Sequence, residues 1–376
     1  MSPSLGAGGP VGVGVIGAGV ISTQYLDNLT RAADVRVLMV ADLDADRAAA
    51  RAAEYGVPSS GTVVELLARD DIEIVVNLTI PAAHVPVALD ALSAGKHVWS
   101  EKPFALDLVS GQALLDEAHR AGLRVACAPD TVLGAGIQTG RRLIESGAIG
   151  TPLTALTLFQ VSGPEAWHPN PEFLYARGGG PLFDMGPYYL STLVQLMGPA
   201  ERVVARGAQA RASRVIGSGP RAGESFPVEV PTHVAALIDF ENGTTAQSTF
   251  SFQSSRPRVG VVEISGTEGT LTLPDPNMFD GELRIWRDGM VEESDAEVVP
   301  ATGSTFSRGA GVVELARAIR AGRPERPSGE FAFHVLDLMV SIQQSAETDG
   351  TAVAIRSTVV NPPALPADWD PTAATL

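Results

Sequence analysis

Apolar positions recur along the chain in two different rhythms, and the rhythm changes near residue 150. Val11 to Ile16 is an apolar, β-rich run, after which Ile21, Tyr25 and Leu29 repeat at the spacing of one helix face. Val35 to Val40 reads as a second buried strand. Asp44 stands where an N-cap would open a helix running to Glu54, and Gly56 closes it. Ile72 to Leu78, Val98 to Ser100 and Leu123 to Ala128 are further strands. Between them, His84 to Ala94 is a helix ended by Gly95, and Leu108, Gly111, Leu115 and Ala118 line a helix ended by Gly122. Such alternation predicts a doubly wound parallel sheet of the Rossmann type. Ligands in that architecture bind outside the carboxyl ends of the strands.

Beyond Gly150 strand follows strand. Leu153 to Val161 alternates as a half-buried strand does, and Glu241-Asn242-Gly243 and Asp288-Gly289 mark hairpin turns. Val312 to Ala321 and Phe331 to Thr348 read as later helices. The pattern predicts an α+β domain on an open, mainly antiparallel sheet arranged as a meander, its second face covered by a partner subunit. We place the Rossmann domain at 1–129 and a substrate-binding and oligomerisation domain at 130–376. Two long connections rich in Pro and Gly, 162–181 and 211–231, interrupt the strands. Loops of this length tend to be lids or partner arms. The first carries Trp167, His168 and Tyr175, aromatic groups suited to sugar faces, and is read as a lid. The second receives no such role.

Composition narrows the partners. With 376 residues, 45% hydrophobic and 19% charged, the chain is ordinary globular material for two domains. A formal charge of −16 argues against a nucleic-acid or anionic-membrane surface as partner. Cys127 is the only cysteine, so no internal disulfide forms, and a reducing, cytoplasmic setting is expected. No apolar run approaches membrane-spanning length, and Met1 to Pro10 lacks the charged and apolar regions of a secretory leader. Six scattered histidines show no metal-ligand spacing.

The chemistry sits at strand ends. Gly17-Ala18-Gly19-Val20-Ile21-Ser22 is a G-x-G-x-x-G pattern with serine in the third place, between a strand and a helix. Gly17 makes the tight turn, Gly19 admits close approach of a pyrophosphate, and the amides of the helix start, around Val20 and Ile21, favour its charge. Asp42 ends the second strand 25 residues after Gly17, the distance at which an acid meets the adenosine ribose. Its charge repels a 2′-phosphate and favours NAD, while Arg47 keeps NADP open. Thr79-Ile80-Pro81 and Glu101-Lys102-Pro103 follow the next strands. Proline after Lys102 keeps that lysine out of helical geometry and holds its ammonium at a strand end.

Those segments, with His84, Gly95-Lys96-His97-Val98, Gly147-Ala148-Ile149-Gly150 and Gly178-Gly179-Gly180-Pro181-Leu182-Phe183-Asp184, occur in an order that resembles the Gfo/Idh/MocA oxidoreductases, relatives of glucose–fructose oxidoreductase and inositol dehydrogenase. The likeness covers nearly the whole chain. It implies NAD(P)-dependent hydride transfer with a secondary alcohol of a sugar, polyol or glycoside, and a homodimer or homotetramer built through the C-terminal sheet. Lys102 would contact cofactor and substrate beside a cis proline; Glu101, Thr79, Ile80, Pro81 and His84 join the cofactor-binding set. From the residues alone, His84, His97, His119, His233 and His334 serve packing. The family usually places Asp-x-x-x-His where this chain has Asp184 and Tyr188. That departure leaves two candidates for the base: Tyr188, if a nearby cation eases loss of its proton, and His168, since imidazoles ordinarily titrate near neutrality. Two other functions compete: glycoside cleavage through transient sugar oxidation, and a dinucleotide-sensing module without catalysis.

Overall fold

The computed structural model describes residues 8–376, so the reading of Met1 to Pro10 as lacking a leader falls, for its first seven positions, outside the described residues. The described chain forms two compact units: residues up to 134 with 303–333 and 365–376, and residues 135–302 with 334–364.

The first unit opens with β1 (Val11–Ile16), α1 (Val20–Leu29), β2 (Val35–Ala41), α2 (Ala45–Tyr55), β3 (Ser60–Gly61) and α3 (Val63–Leu67). It continues with β4 (Ile74–Asn77), α4 (His84–Ser93), β5 (His97–Ser100), α5 (Leu108–Ala121) and β6 (Val125–Cys127). Every strand pair is parallel, in the order β3-β2-β1-β4-β5-β6. β1, β4 and β5 are buried at every position between the helices, which is why they show no alternation, with His97 at the start of β5 and Asn77 at the end of β4 as the large polar residues. The order reverses between β1 and β4, and there two connections leave the sheet in opposite directions and open a crevice. The predicted caps are present. The Asp44 carboxylate accepts from Arg47 N, and Gly56 and Gly122 end α2 and α5 in the left-handed conformation.

The second unit holds α6 (Ala135–Glu145), β7 (Pro152–Gln160), α7 (Gly180–Met197), β8 (Ala200–Ala208), β9 (Ser213–Val215) and β10 (Ser225–Pro227). Then come β11 (His233–Phe240), β12 (Thr245–Ser251), β13 (Arg258–Gly266), β14 (Thr270–Leu273), β15 (Leu283–Trp286) and β16 (Glu297–Val299). A nine-stranded sheet runs β16-β15-β14-β13-β7-β12-β11-β8-β17, the last being Val353–Ala354. It is not a simple meander. β7 lies between β12 and β13 and pairs with β12 in parallel, a pairing that needs a crossover, and α7 lies within the long connection that provides it. α6 and α7 pack on one face, over alternate residues such as Val234, Ala236, Ile238 and Phe240. The predicted Asn242-Gly243 turn joins β11 to β12, with Gly243 at φ +83°.

The 162–181 and 211–231 connections are tied together. Arg214, buried, donates from Nη1 to Glu165 Oε1 at 2.5 Å and to Ser162 O at 2.8 Å, and from Nη2 to Phe252 O at 2.7 Å. Tyr175 donates to the same Glu165 and lies fully buried against Phe226 and Phe252, so it is core material rather than a group offered to a sugar.

Two later segments return to the first unit, which a division at residue 129 does not include. α8 (Ala310–Ala321) adds Val312, Val313, Leu315 and Ala316 to the core of the parallel sheet. Its start is fixed by fully buried Asp130, whose Oδ2 accepts from Gly309 N at 2.8 Å and Gly311 N at 3.2 Å. A Cβ on Gly311 would sit 1.9 Å from the Trp99 ring, so only glycine permits this contact. The tail ends on Asp34, which accepts from Thr375 N, Leu376 N and Arg317 Nε. α9 (Gly329–Glu347) completes the helices, and among the described residues none is long and apolar enough to cross a membrane.

Candidate active site

At the carboxyl end of β1 the glycine turn has its own geometry. Gly17 lies at φ +104°, and a Cβ there would meet Leu78 O at 2.6 Å, so both backbone and neighbour demand glycine. Gly19 is the N-cap of α1 in extended geometry, and nothing stands within 4 Å of where its Cβ would be. Among the described residues no side chain caps the helix, and its first turn carries no acid. Uncapped amides under open space fit an anion. Ser22 is buried and donates to Gly19 O at 2.7 Å, closing the turn from below.

Asp42 follows β2 and grips this turn. Its Oδ2 accepts from Ala18 N at 2.7 Å, its Oδ1 from Asp44 N at 2.9 Å, and Arg47 Nη2 donates to Oδ1 at 2.6 Å. Burial pushes the carboxyl up, but the bonds from Arg47, Asp44 and Ala18 outweigh it and hold it below the usual range. Three apolar side chains stand out at the ends of β1, β2 and β4: Val20 is 86% exposed, Leu43 100% and Ile80 70%. Leu43 was not singled out from the sequence; an apolar residue directly after a strand-end acid is the signal that would have found it.

After β4, Asn77 organises the next segment. Its Oδ1 accepts from Thr79 Oγ1 at 2.7 Å and its Nδ2 donates to His84 O at 2.9 Å. His84 is buried, with Nδ1 2.8 Å from Pro103 O and Nε2 3.0 Å from Thr79 O. Its ring thus ties the Thr79-Ile80-Pro81 segment to the segment after β5, and both nitrogens are engaged within the chain. Burial pulls this imidazole below its ordinary value, against the bonds to the two carbonyls and the charge of Glu101.

After β5, Glu101 turns inward. Its Oε1 accepts from Tyr25 Oη at 2.9 Å and its Oε2 from Lys102 N at 3.0 Å. The peptide between Lys102 and Pro103 is cis, and Lys102 itself is partly exposed. The strand order therefore gathers Gly17, Gly19, Val20, Ile21, Asp42, Thr79, Ile80, Pro81, His84, Glu101 and Lys102 at the ends of the adjacent strands β2, β1, β4 and β5. Asn77 joins them without having been named from the sequence, and Tyr25, read there only as a helix-face position, joins them through Glu101.

In the second unit, α7 begins at Gly180, which lies at φ +80°, directly after its N-cap Gly179. Asp184 and Tyr188 stand one turn apart on it, the acid half-buried and the phenol buried. Tyr189 faces the core instead, its ring against Phe159 and Phe250 and its hydroxyl accepting from Gly260 N at 2.8 Å. His168 lies in the connection leading to α7, edge-on to Trp167 and Phe173. Its Nδ1 accepts from Asn170 N at 3.0 Å, which leaves Nε2 to carry the proton of the neutral ring.

A parallel sheet whose reversal point joins a glycine turn, an uncapped helix start and a strand-end acid defines a dinucleotide-binding fold. The chain belongs to the Gfo/Idh/MocA oxidoreductase family. Residues 11–128 match the family model described as "Oxidoreductase family, NAD-binding Rossmann fold", and residues 137–272 match the Gfo/Idh/MocA C-terminal domain. The 1,5-anhydro-D-fructose reductase of Ensifer adhaerens is 30% identical over 265 residues, 69% of this chain and 74% of the relative. Inositol 2-dehydrogenase 3 of Saccharopolyspora erythraea is 26% identical over 77% of this chain and 83% of its own. Among solved structures, a levoglucosan dehydrogenase in complex with NADH and L-sorbose superposes with a TM-score of 0.78 at 21% identity, over 93% of this chain and all of that one. The protein is an NAD-binding oxidoreductase.

Proposed function

We propose that the protein reversibly oxidises a secondary alcohol of a sugar, polyol or glycoside, with NAD as its cofactor. The observation that carries this reading is the convergence of the glycine turn, Asp42 and Lys102 at neighbouring strand ends. The substrate class is taken from the names of the relatives, which act on anhydrofructose and inositol. When bound, NAD supplies the carbon that accepts a hydride from the carbinol.

The chain's own residues do the rest. The first amides of α1 hold the pyrophosphate and Asp42 holds the ribose hydroxyls, while Val20, Leu43 and Ile80 offer apolar surface to flat rings. A carboxylate at position 42 repels a 2′-phosphate, and Arg47 is already engaged by it, which favours NAD over NADP. Lys102 donates a hydrogen bond to the alcohol oxygen and stabilises its growing negative charge. Asp184 orients a neighbouring hydroxyl. Tyr188, acting as its phenolate, takes the hydroxyl proton, with His168 as the rival base. We further propose two or four copies joined through the uncovered face of the nine-stranded sheet. The one cysteine, Cys127, is buried in β6 and suits a reducing, cytoplasmic compartment, which cell fractionation would check.

The deciding experiment is the turnover of Lys102→Met on any sugar or polyol that the wild type accepts. A fall of at least about tenfold, equivalent to roughly 1.4 kcal/mol of barrier, is expected, and a smaller one removes Lys102 from the chemistry. In the same assay, whichever of Tyr188→Phe and His168→Ala flattens the pH–rate profile identifies the base; if neither does, both assignments fail.

A further inference from the structure

A buried chain of hydrogen bonds runs from the helix that starts at the glycine turn to the backbone of Lys102. Its first member is the Trp99 indole, which can only donate and does so to Tyr25 Oη at 3.1 Å. Tyr25 must therefore direct its own proton to Glu101 Oε1, 2.9 Å away. The second oxygen of Glu101 accepts the Lys102 amide at 3.0 Å. Tyr25 and Trp99 are fully buried and Glu101 nearly so. Burial pushes the Tyr25 phenol well above its ordinary value; the charges of Glu101 and Asp130 add to this, and Arg308 and the Trp99 bond oppose it. The proton stays on the phenol, and each bond in the chain has one fixed sense.

Tyr25 also belongs to α1, whose first turn carries the uncapped amides. The same buried face of the helix is held again one turn later, because Asn28 Nδ2 donates to Arg308 O at 2.9 Å. A shift of α1 would have to pull on Glu101, since a buried carboxylate that loses a donor bears an uncompensated cost.

We propose that Tyr25 is a positioning residue for the reaction: it fixes the Glu101 carboxylate, which fixes the Lys102 backbone, so that α1 and the reacting amine hold one register. The assignment rests on the reading of Lys102 as the group that touches the alcohol oxygen. Loss of the Tyr25 hydroxyl should leave the cofactor bound and misplace the amine.

The test uses the full chain with Tyr25→Phe, which keeps the ring and removes only the hydroxyl. Three quantities are measured: kcat with an accepted sugar, the NAD dissociation constant by calorimetry, and amide exchange of the peptides covering β1, β4 and residues 98–105. We expect kcat to fall about tenfold, roughly 1.4 kcal/mol of barrier, with NAD affinity within about threefold of wild type. The Lys102 amide should exchange about tenfold faster while β1 and β4 keep their protection. Combined with Glu101→Gln, the change should cost no more than the worse single variant, because both act through one chain of bonds. A kcat within about twofold of wild type, an unchanged Lys102 amide, additive losses, or loosening spread evenly through β1 and β4 would each overturn the proposal. Lys102→Met keeps the two readings apart. If it turns over normally, the role of Lys102 falls; if it is inactive while Tyr25→Phe is fully active, only the role of Tyr25 falls. Should Tyr25→Phe not fold, Glu101→Gln alone, which changes charge but almost no volume, is judged by the same measurements.

Discussion

Two glycines of the same turn are required for different reasons. Gly17 sits at φ +104° with Leu78 O where a side chain would go, so the fold itself excludes any other residue. Gly19 has ordinary backbone angles and empty space above it, so nothing in the fold excludes alanine. What excludes it is the ligand that must approach. Gly19→Ala is expected to change stability by no more than about 1 kcal/mol. The same substitution should weaken NAD binding by about tenfold or more, roughly 1.4 kcal/mol. Thermal unfolding beside calorimetric titration reads both quantities, and undiminished NAD affinity would show that no phosphate comes near Gly19. Asp42 was legible for a similar reason, since an acid at a strand end a fixed distance from a glycine turn has a local signature. Glu101 was legible only as a charge. That its carboxylate turns inward to Tyr25, 76 residues away, depends on a contact that no local pattern records.

At the scale of elements, periodicity located β1, β2, β4, β5, β6 and β7 and the helices α1, α2, α4, α5, α8 and α9, because a buried face repeats at 3.6 or 2 residues, but it passed over α3, α6, α7 and most strands of the second unit. It did not fix pairing. β7 has the alternation of any half-buried strand, and nothing in it states that its neighbours are β12 and β13. Nor did loop length distinguish a lid from a strut. The 162–181 connection is long and rich in Pro and Gly, yet the buried Arg214–Glu165 pair ties it to the 211–231 connection. The uncovered face of the sheet has its own consequence. Leu237 is 57% exposed there, directly opposite Val204 on β8 and Gln247 on β12. An open antiparallel sheet with apolar positions on its second face calls for cover. Leu237→Asp should lower the mass measured by light scattering towards that of one chain while NAD binding persists. A wild-type protein that is monomeric at tens of micromolar would sink the assembly proposal.

For the molecule as a whole, buried histidines set the response to acid. His97 is buried at the start of β5, its Nδ1 accepting from Arg124 N at 2.9 Å. Burial, with the charges of Arg124 and Arg320 and against that of Glu73, pulls it down to about 4. Burial also pulls His84, His233 and His334 down. Between the unfolded value near 6.5 and the folded value, the unfolded chain binds more protons, so the stability present above that window is lost as pH falls through it. His97 alone should account for about 3 kcal/mol by pH 4. Urea unfolding at pH 7.5, 5.5 and 4.5 should show a falling midpoint, and His97→Asn, which offers an acceptor near the place of Nδ1, should flatten it. An equal slope in the variant would contradict the role of His97. The sequence by itself determined what short-range physics controls: the strand–helix alternation, the glycine turn, the caps at Asp44, Gly56 and Gly122, and the hairpin at Gly243. Only the tertiary structure decided that 303–333 and 365–376 return to the first unit, that Asp130 caps the start of α8, 179 residues later at Gly309, and that Tyr25 holds the neighbour of Lys102. Each of these is a contact between distant positions, apolar where α8 meets the parallel sheet and polar at Asp130 and Tyr25, and such a contact repeats with no period along the chain.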